Sequence, residues 1–329
     1  MEHLLGVPNI SSSSGINQAQ AVFDTLNDWS LLENIEALCC DSTASNTGRI
    51  NGACVLLERL IDKDLLYFIY RHHIYELVLR STFEIKFGKT TGPEVQLFKN
   101  FGDFLLDKKD VEVKCRDVCI FIVRVYVHAW FCTPFAAQAP NQDLKFLKCL
   151  YEYRRIDESI SDCAVRKCMN HLWYLTPQLT ALAFFDFTIS NEEKLKMCEA
   201  LQSNSSAFVY GKQILVNEKN LDKIVNSSIS DFICKDTYET FRRLKIDTTF
   251  LEKNPSKWAN DRNYTNGLEV VKNLRVVNDT AEREVKLITE FNNRLTKDEK
   301  QLQYLLPVIK DYRSLFSDSK KETLMRPYE

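Results

Sequence analysis

Glycine and proline are scarce in this chain, with 9 and 8 residues among 329. Few tight turns or flexible linkers can form, which argues against an architecture built from many β-hairpins. Apolar residues make up 45 % of the sequence and charged residues 27 %, as is typical of a globular chain. The length of 329 residues predicts one large domain or two, and the scarcity of glycine and proline predicts that helix dominates.

A strong net charge is also missing, since the formal charge is −2 at pH 7. The whole chain therefore has no field that would attract nucleic acid, and any such contact must come from a local patch. This balance argues against tight, autonomous DNA binding.

The sequence has no C-x-x-C pair and only five histidines, which leaves no material for a zinc finger. Its eleven cysteines, several inside apolar stretches, predict buried thiols in a reducing compartment. No signal-peptide pattern opens the sequence. The longest apolar run, 118–130, contains Arg124 and His128 and is too short for a membrane span.

The first ninety residues alternate between strand and helix patterns. After a helix over 18–32 that ends near Trp29, the apolar residues 38–40 and 65–70 predict two buried strands. Helical spacing predicts one helix over 50–61 and another that starts at about residue 71. Strand, helix, strand and helix in this order predict a parallel pair with a right-handed crossover.

From residue 94 to about 257 the apolar spacing is mostly helical, with 207–216 as the one predicted strand. The predicted helices cover 94–106, 111–132, 142–154, 160–186, 191–202, 217–233 and 236–244. A further helix starts behind residues 276–285 and another covers about 297–316. We therefore expect three parts: an α/β unit over 1–92, a helical domain over 93–270, and C-terminal helices over 271–329.

Asp41 ends the first predicted strand and is followed by small hydroxyl, amide and glycine residues. A carboxylate there lies at the rim of the sheet, where open α/β sheets bind their ligands. It can equally cap the next helix. Glu282 has a similar alternative as part of a capping box with Asp279, and the alternative for His72 and His73 is packing or capping at a helix start.

Three stretches in this order resemble the catalytic core of hAT-like DNA transposases. They are 40–48 (CDSTASNTG), 70–77 (YRHHIYEL) and 278–283 (NDTAER). The second is similar to that family's C-x-x-H-x-x-x-L helix start, with Tyr70 in place of the cysteine. The likeness spans nearly the whole chain, including the helical block between the second and third stretches.

The resemblance implies a partial ribonuclease-H-like core, interrupted by a large all-helical insertion, in a nuclear protein that binds DNA. Two aspartates and a glutamate hold a pair of Mg²⁺ or Mn²⁺ ions in that family, and such a pair stabilises the attacking and leaving oxygens of phosphodiester chemistry. By this resemblance Asp41 is the second aspartate and Glu282 the glutamate. Asn46, His73 and Arg283 are supporting residues of the same site.

The chain also departs from the family's pattern. Only 40 residues precede Asp41, Asp24 and Asp28 lie in a predicted helix, and neither the first aspartate nor the DNA-binding zinc finger is found. We therefore expect a truncated or domesticated transposase that is catalytically inactive. The first alternative is a helical module that binds another protein or assembles with itself, and the second is a nuclease completed by an unrecognised carboxylate.

Overall fold

The computed structural model describes residue 5 and the ranges 8–89, 108–208 and 211–277. Its first part is a compact βαβα unit, as the sequence predicts. Strands β1 (Ala37–Cys40) and β2 (Leu66–Ile69) are parallel, in a register that pairs Ala37 with Leu66 and Cys40 with Ile69. Because β2 is buried along its whole length, it lies between packed layers, as the continuous apolar run indicates.

Four helices surround this strand pair. They are α1 (Gly15–Asp28), the single turn α2 (Ala44–Thr47), α3 (Ala53–Ile61) and α4 (Arg71–Phe87). The Ser14 hydroxyl accepts a hydrogen bond from the Asn17 N–H and caps α1. The predicted end of the first helix near Trp29 is confirmed, since Trp29 is its C-cap.

The rest of the described chain is helical. The α-helices are α5 (Lys108–Phe121), α6 (Val127–Cys132), α7 (Ala139–Glu152), α8 (Glu158–Met169), α9 (Pro177–Thr180), α10 (Asn191–Ala200), α11 (Glu218–Val225), α12 (Tyr238–Arg243) and α13 (Arg262–Lys272). A π-helical segment, Ile122–Tyr126, joins α5 to α6. Short 3₁₀ helices cover Leu32–Asn34, Ala136–Gln138, Tyr153–Arg155, Ala181–Phe185, Ile229–Phe232, Lys235–Thr237, Thr249–Glu252 and Pro255–Asn260. The predicted architecture, mostly helix with a small parallel sheet, is confirmed at this level.

Three local predictions are wrong. The predicted helix over 217–233 is interrupted, since α11 ends at Val225 and a separate 3₁₀ helix covers Ile229–Phe232. The stretch 160–186 is not one helix, because α8 ends at Met169 and a new helix begins at Pro177, capped by the Thr176 hydroxyl. The described residues of 207–216 form no strand. Ile214 makes an isolated β-bridge, in which its N–H donates to the Leu172 carbonyl at 3.3 Å. Apolar residues in this stretch fill space beside the loop that follows α8 rather than extend the sheet.

Aromatic side chains form the core of the helical block. Phe184, Phe185, Phe250 and Trp258 are almost fully buried, and the rings of Phe250 and Trp258 meet edge to face at 5.1 Å. Tyr264 on α13 stacks on Phe185 at 5.2 Å. This aromatic packing holds α13, which the sequence spacing did not reveal, against the core.

The helical block packs directly on α4. The Cys163 thiol on α8 donates to the Ser81 carbonyl on α4 at 3.2 Å, and Lys86 on α4 forms an ion pair with Asp157 at the N-cap of α8. The predicted domain boundaries stay a prediction. The helices predicted over 94–106 and beyond residue 277 lie outside the described residues.

Candidate functional site

The first two motifs of the sequence meet at the carboxyl edge of the sheet. Asp41 directly follows β1 and Tyr70 directly follows β2, and the Tyr70 N–H donates to the Cys40 carbonyl at 2.8 Å. Because parallel strands end at the same edge, the aspartate and the start of α4 are neighbours. We call this region, made of residues 41–47, 70–73 and 167–171, the carboxyl edge.

Asp41 is held in a tight local turn. Its Oδ1 accepts from the Thr43 N–H at 2.8 Å, the Thr43 hydroxyl at 2.6 Å and the Asn46 amide at 2.7 Å. The residue at the N-cap of α2 is Thr43 rather than Asp41, so the aspartate shapes the turn before the helix. Asn46, predicted as a supporting residue, contacts Asp41 directly.

These contacts set the charge of Asp41. Partial burial acts to raise its pKa, but the hydrogen bonds from Thr43 and Asn46 and the nearby His73 outweigh burial and hold the pKa below its ordinary value. Asp41 is therefore an ionised carboxylate at neutral pH, with one oxygen committed to the turn.

The two adjacent histidines at the start of α4 have different surroundings. The His72 ring stacks on Trp130 with centroids 3.9 Å apart and planes 9° apart, so it packs against α6. The His73 side chain is 30 % exposed, lies 4.0 Å from the Glu76 carboxylate and lowers the pKa of Asp41. His73 thus belongs to the carboxyl edge, whereas His72 is a packing residue.

A third histidine, which sequence reasoning missed, joins this edge from the loop after α8. The pKa of His171 is lowered to about 4 by burial first and then by Lys167 and His73. Its Nδ1 is buried and has no hydrogen-bond partner among the described residues. His171 is therefore neutral at pH 7, and Lys167 in the last turn of α8 is a nearby positive charge.

Tyr70, at the start of α4, closes the edge on the other side. Burial first, and then the neighbouring Cys39, Cys40 and Asp41, raise the pKa of Tyr70 to about 12. The phenol therefore stays protonated at neutral pH and can donate a hydrogen bond but not act as a base.

Directly behind the edge lies a buried charge cluster around Arg71. The guanidinium is fully buried, donates to Asp143 Oδ1 through Nε at 3.0 Å and Nη2 at 2.8 Å, and donates to the Thr133 carbonyl at 2.8 Å. Nη2 also donates to the Tyr75 hydroxyl at 2.8 Å. The Tyr174 hydroxyl donates to the Ile69 carbonyl at 2.8 Å on the same side of β2. These bonds fasten the start of α4 to the helical block.

The third motif, including Glu282 and Arg283, lies outside the described residues. The residues just before this motif, up to 277, are described. The Val276 carbonyl accepts from the Arg71 N–H at 2.9 Å, and the Arg275 carbonyl accepts from the Cys39 thiol at 3.0 Å. The described chain thus ends against the strand ends and the start of α4.

A cleft of about 300 Å³ lies at the opposite, amino end of β2. Among its lining residues, Lys212 pairs with Asp64 at 3.2 Å and also with Glu58 at 2.7 Å, and Arg243 pairs with Glu239 on the same helix at 2.5 Å. The Lys212 pairs and the bond from Arg243 to the Asp64 carbonyl join the α/β unit to the helical block, so the cleft lies between packed elements.

Within 8–89, 108–208 and 211–277, no group of three or more histidine, cysteine, aspartate or glutamate side chains is arranged to hold a metal ion. Asp41 alone, with one oxygen engaged in its turn, does not make a binding site for Mg²⁺, which prefers several oxygen ligands. The described residues by themselves do not fit a metal pair.

Comparison with known proteins adds no family assignment. No protein-family model matches the chain, and neither the curated proteins nor the solved structures give a significant match. In the part of the chain that the structure describes, no helix is long and apolar enough to cross a membrane.

Proposed function

We propose that this chain is a protein derived from a hAT-like transposase that binds DNA at the carboxyl edge without cleaving it. The parent fold would be a ribonuclease-H-like core into which the helical block is inserted. In this proposal Asp41 and Glu282 are the remaining acidic pair of the ancestral centre, and Asn46, His73 and Arg283 surround them.

The observation that carries the proposal is where the described chain ends. Val276 is bonded to Arg71 beside the ends of both strands. Glu282 follows six residues later, and six residues reach at most about 22 Å. In the proposal this short connection lets Glu282 reach Asp41, as an acidic pair drawn from distant parts of the sequence requires.

The charges of the edge support DNA as the ligand. Arg49, two residues after the end of this edge at residue 47, is exposed. Lys167 is half-buried and close enough to His171 to lower the pKa of that histidine. In the proposal these two cations contact the DNA phosphates, on a chain whose net charge is −2. Two such cations predict weak binding with a shallow salt dependence. Each phosphate contact adds roughly −0.9 to the slope of log K against log salt concentration.

Cleavage is not part of the proposal. Two-metal phosphodiester chemistry needs several carboxylates to hold both ions, and the motifs of this chain supply two. In the parent family Mg²⁺ or Mn²⁺ would stabilise the attacking and leaving oxygens. We expect the purified chain to bind duplex DNA but to leave it intact when Mg²⁺ or Mn²⁺ is added.

Fluorescence anisotropy with a labelled duplex, measured from 50 to 200 mM salt, tests this proposal. We expect Lys167→Ala to weaken binding and to reduce the salt slope by about one. Lys196→Ala, on the exposed face of α10, is the matched control and should bind as the unaltered chain does. Salt-independent self-association without DNA binding would instead support a protein-interaction module. Metal-dependent nicking that disappears in Asp41→Asn would show a working nuclease.

A further inference from the structure

Two thiols lie side by side at the end of β1. Cys40 is the last residue of β1 and Cys54 lies in the first turn of α3, and their Sγ atoms are 3.5 Å apart although the residues are 14 positions apart in the chain. Cys54 is 4 % exposed, whereas Cys40 is half-buried. Cys40 is therefore the more accessible residue of the pair, and Cys54 is the shielded one.

The loop between them holds this approach in place. The Gly52 N–H donates to the Gly48 carbonyl at 2.9 Å, and a Cβ at Gly52 would lie 2.4 Å from the Gly48 nitrogen. The loop therefore folds back more tightly than a side chain permits, and this brings the start of α3 against the strand end. Both cysteines pack against the hydrophobic core, which restricts their motion.

Cys39, the neighbour of Cys40, faces away from the pair. Successive side chains of a strand point to opposite faces, and the Cys39 thiol donates to the Arg275 carbonyl at 3.0 Å. The structure thus distinguishes two adjacent thiols by direction: one faces Cys54 and the other faces the C-terminal end of the described chain.

We propose that Cys40 and Cys54 form a reversible disulfide when the protein meets hydrogen peroxide. A disulfide bond is about 2.05 Å long, so the two sulfurs need to approach by about 1.5 Å from their 3.5 Å separation. Side-chain rotation at the half-buried Cys40 supplies part of this movement. The reduced pair is the resting state in a reducing compartment.

The chemistry balances with peroxide as the oxidant. The Cys40 thiolate attacks one peroxide oxygen, the O–O bond breaks, and Cys40 becomes a sulfenic acid while the other oxygen leaves as hydroxide and takes up a proton to form water. The Cys54 sulfur then attacks the Cys40 sulfur. The S–S bond forms, the S–O bond breaks, and the departing oxygen leaves as a second water. Two thiols lose two electrons, which reduce one peroxide to two waters.

The sequence offers a direct assay. The first Lys or Arg of the chain is Arg49 and the next is Arg59, so trypsin releases peptide 1–49, which carries Cys39 and Cys40, and peptide 50–59, which carries Cys54. We would treat the reduced full chain with hydrogen peroxide, block the remaining thiols by alkylation, digest without reductant, and measure the cross-linked pair by mass spectrometry.

We expect the 1–49/50–59 pair to accumulate with peroxide and to disappear after dithiothreitol. It should persist in Cys39→Ser, where Cys40 is the only thiol of peptide 1–49, and be lost in Cys40→Ser and Cys54→Ser. Absence of the pair from both the unaltered chain and Cys39→Ser would overturn the proposal, as would its persistence in Cys40→Ser. The Cys39→Ser variant keeps both thiols of the pair. The test therefore remains decisive even if Cys40→Ser or Cys54→Ser fails to fold.

Discussion

Replacing Arg71 by methionine should destabilise the protein by about 3–5 kcal/mol, because it leaves the Asp143 carboxylate buried without its partner. Arg71 is fully buried, and its guanidinium makes bonds to Asp143, the Thr133 carbonyl and the Tyr75 hydroxyl. Methionine fills a similar volume but supplies none of these donors. Since single domains are stable by roughly 5–15 kcal/mol, this loss is a large share of the total.

The loss of stability caused by Arg71→Met should depend on pH. Burial raises the pKa of Asp143, and the Arg71 guanidinium opposes that rise. Without Arg71 the pKa of the folded state rises further above that of the unfolded chain. A carboxyl whose pKa is higher in the folded state than in the unfolded chain stabilises the fold most when it is protonated, below the unfolded pKa of about 3.9. This stabilisation is lost as the pH rises through the pKa of the folded state. Arg71→Met should therefore be less destabilising at pH 5 than at pH 7.

Urea unfolding followed by circular dichroism at both pH values measures this effect. Arg166→Met, on the exposed face of α8, is the matched control and should cost less than about 0.5 kcal/mol. The double variant Arg71→Met with Asp143→Leu should recover part of the stability, since it removes both charges. A loss of less than 1 kcal/mol in Arg71→Met, or the same loss at both pH values, would refute the role assigned to the buried pair.

Two further predictions concern backbone fit and protonation. Gly52→Ala should destabilise the chain by about 2 kcal/mol or more, because its Cβ would lie 2.4 Å from backbone, whereas Gly211→Ala, with nothing within 4 Å, should be neutral to thermal unfolding. The pKa of His171 is lowered to about 4 by burial, Lys167 and His73, so the unfolded chain binds its proton first. Stability should then fall by about 3 kcal/mol as pH drops from about 6.5 to about 4, and His171→Gln should flatten that part of the pH profile.

The local pattern of the first ninety residues was enough to predict the α/β unit. Apolar runs at 38–40 and 65–70, separated by a helix, became β1, α3 and β2 within a few residues. A parallel pair follows from this order because the crossover leaves few other topologies. The adjacency of Asp41 and the start of α4 follows in turn, since both follow strand ends at one edge.

The rest of the site depends on contacts between residues far apart in the chain. Arg71 and Asp143 are separated by 72 positions, and nothing in their spacing indicates a buried pair, because arginine and aspartate are usually exposed. His171 and Lys167 reach the edge only because α8 packs on α4. The broken helix over 160–186 shows the same limit: apolar spacing continues across 170–176 although the backbone turns there.

The start of α4 serves both stability and the edge, and helix geometry separates the two roles. Arg71 and Tyr75 are four residues apart and therefore share one face, which is buried against Asp143. His73 lies two positions after Arg71 and so points away from that face, towards Asp41. A substitution at Arg71 changes the fold and the edge together, whereas one at His73, which is 30 % exposed, changes the edge alone. Under the proposed function, DNA affinity in His73 variants therefore reports on the site, and the same measurement in Arg71 variants reports first on folding.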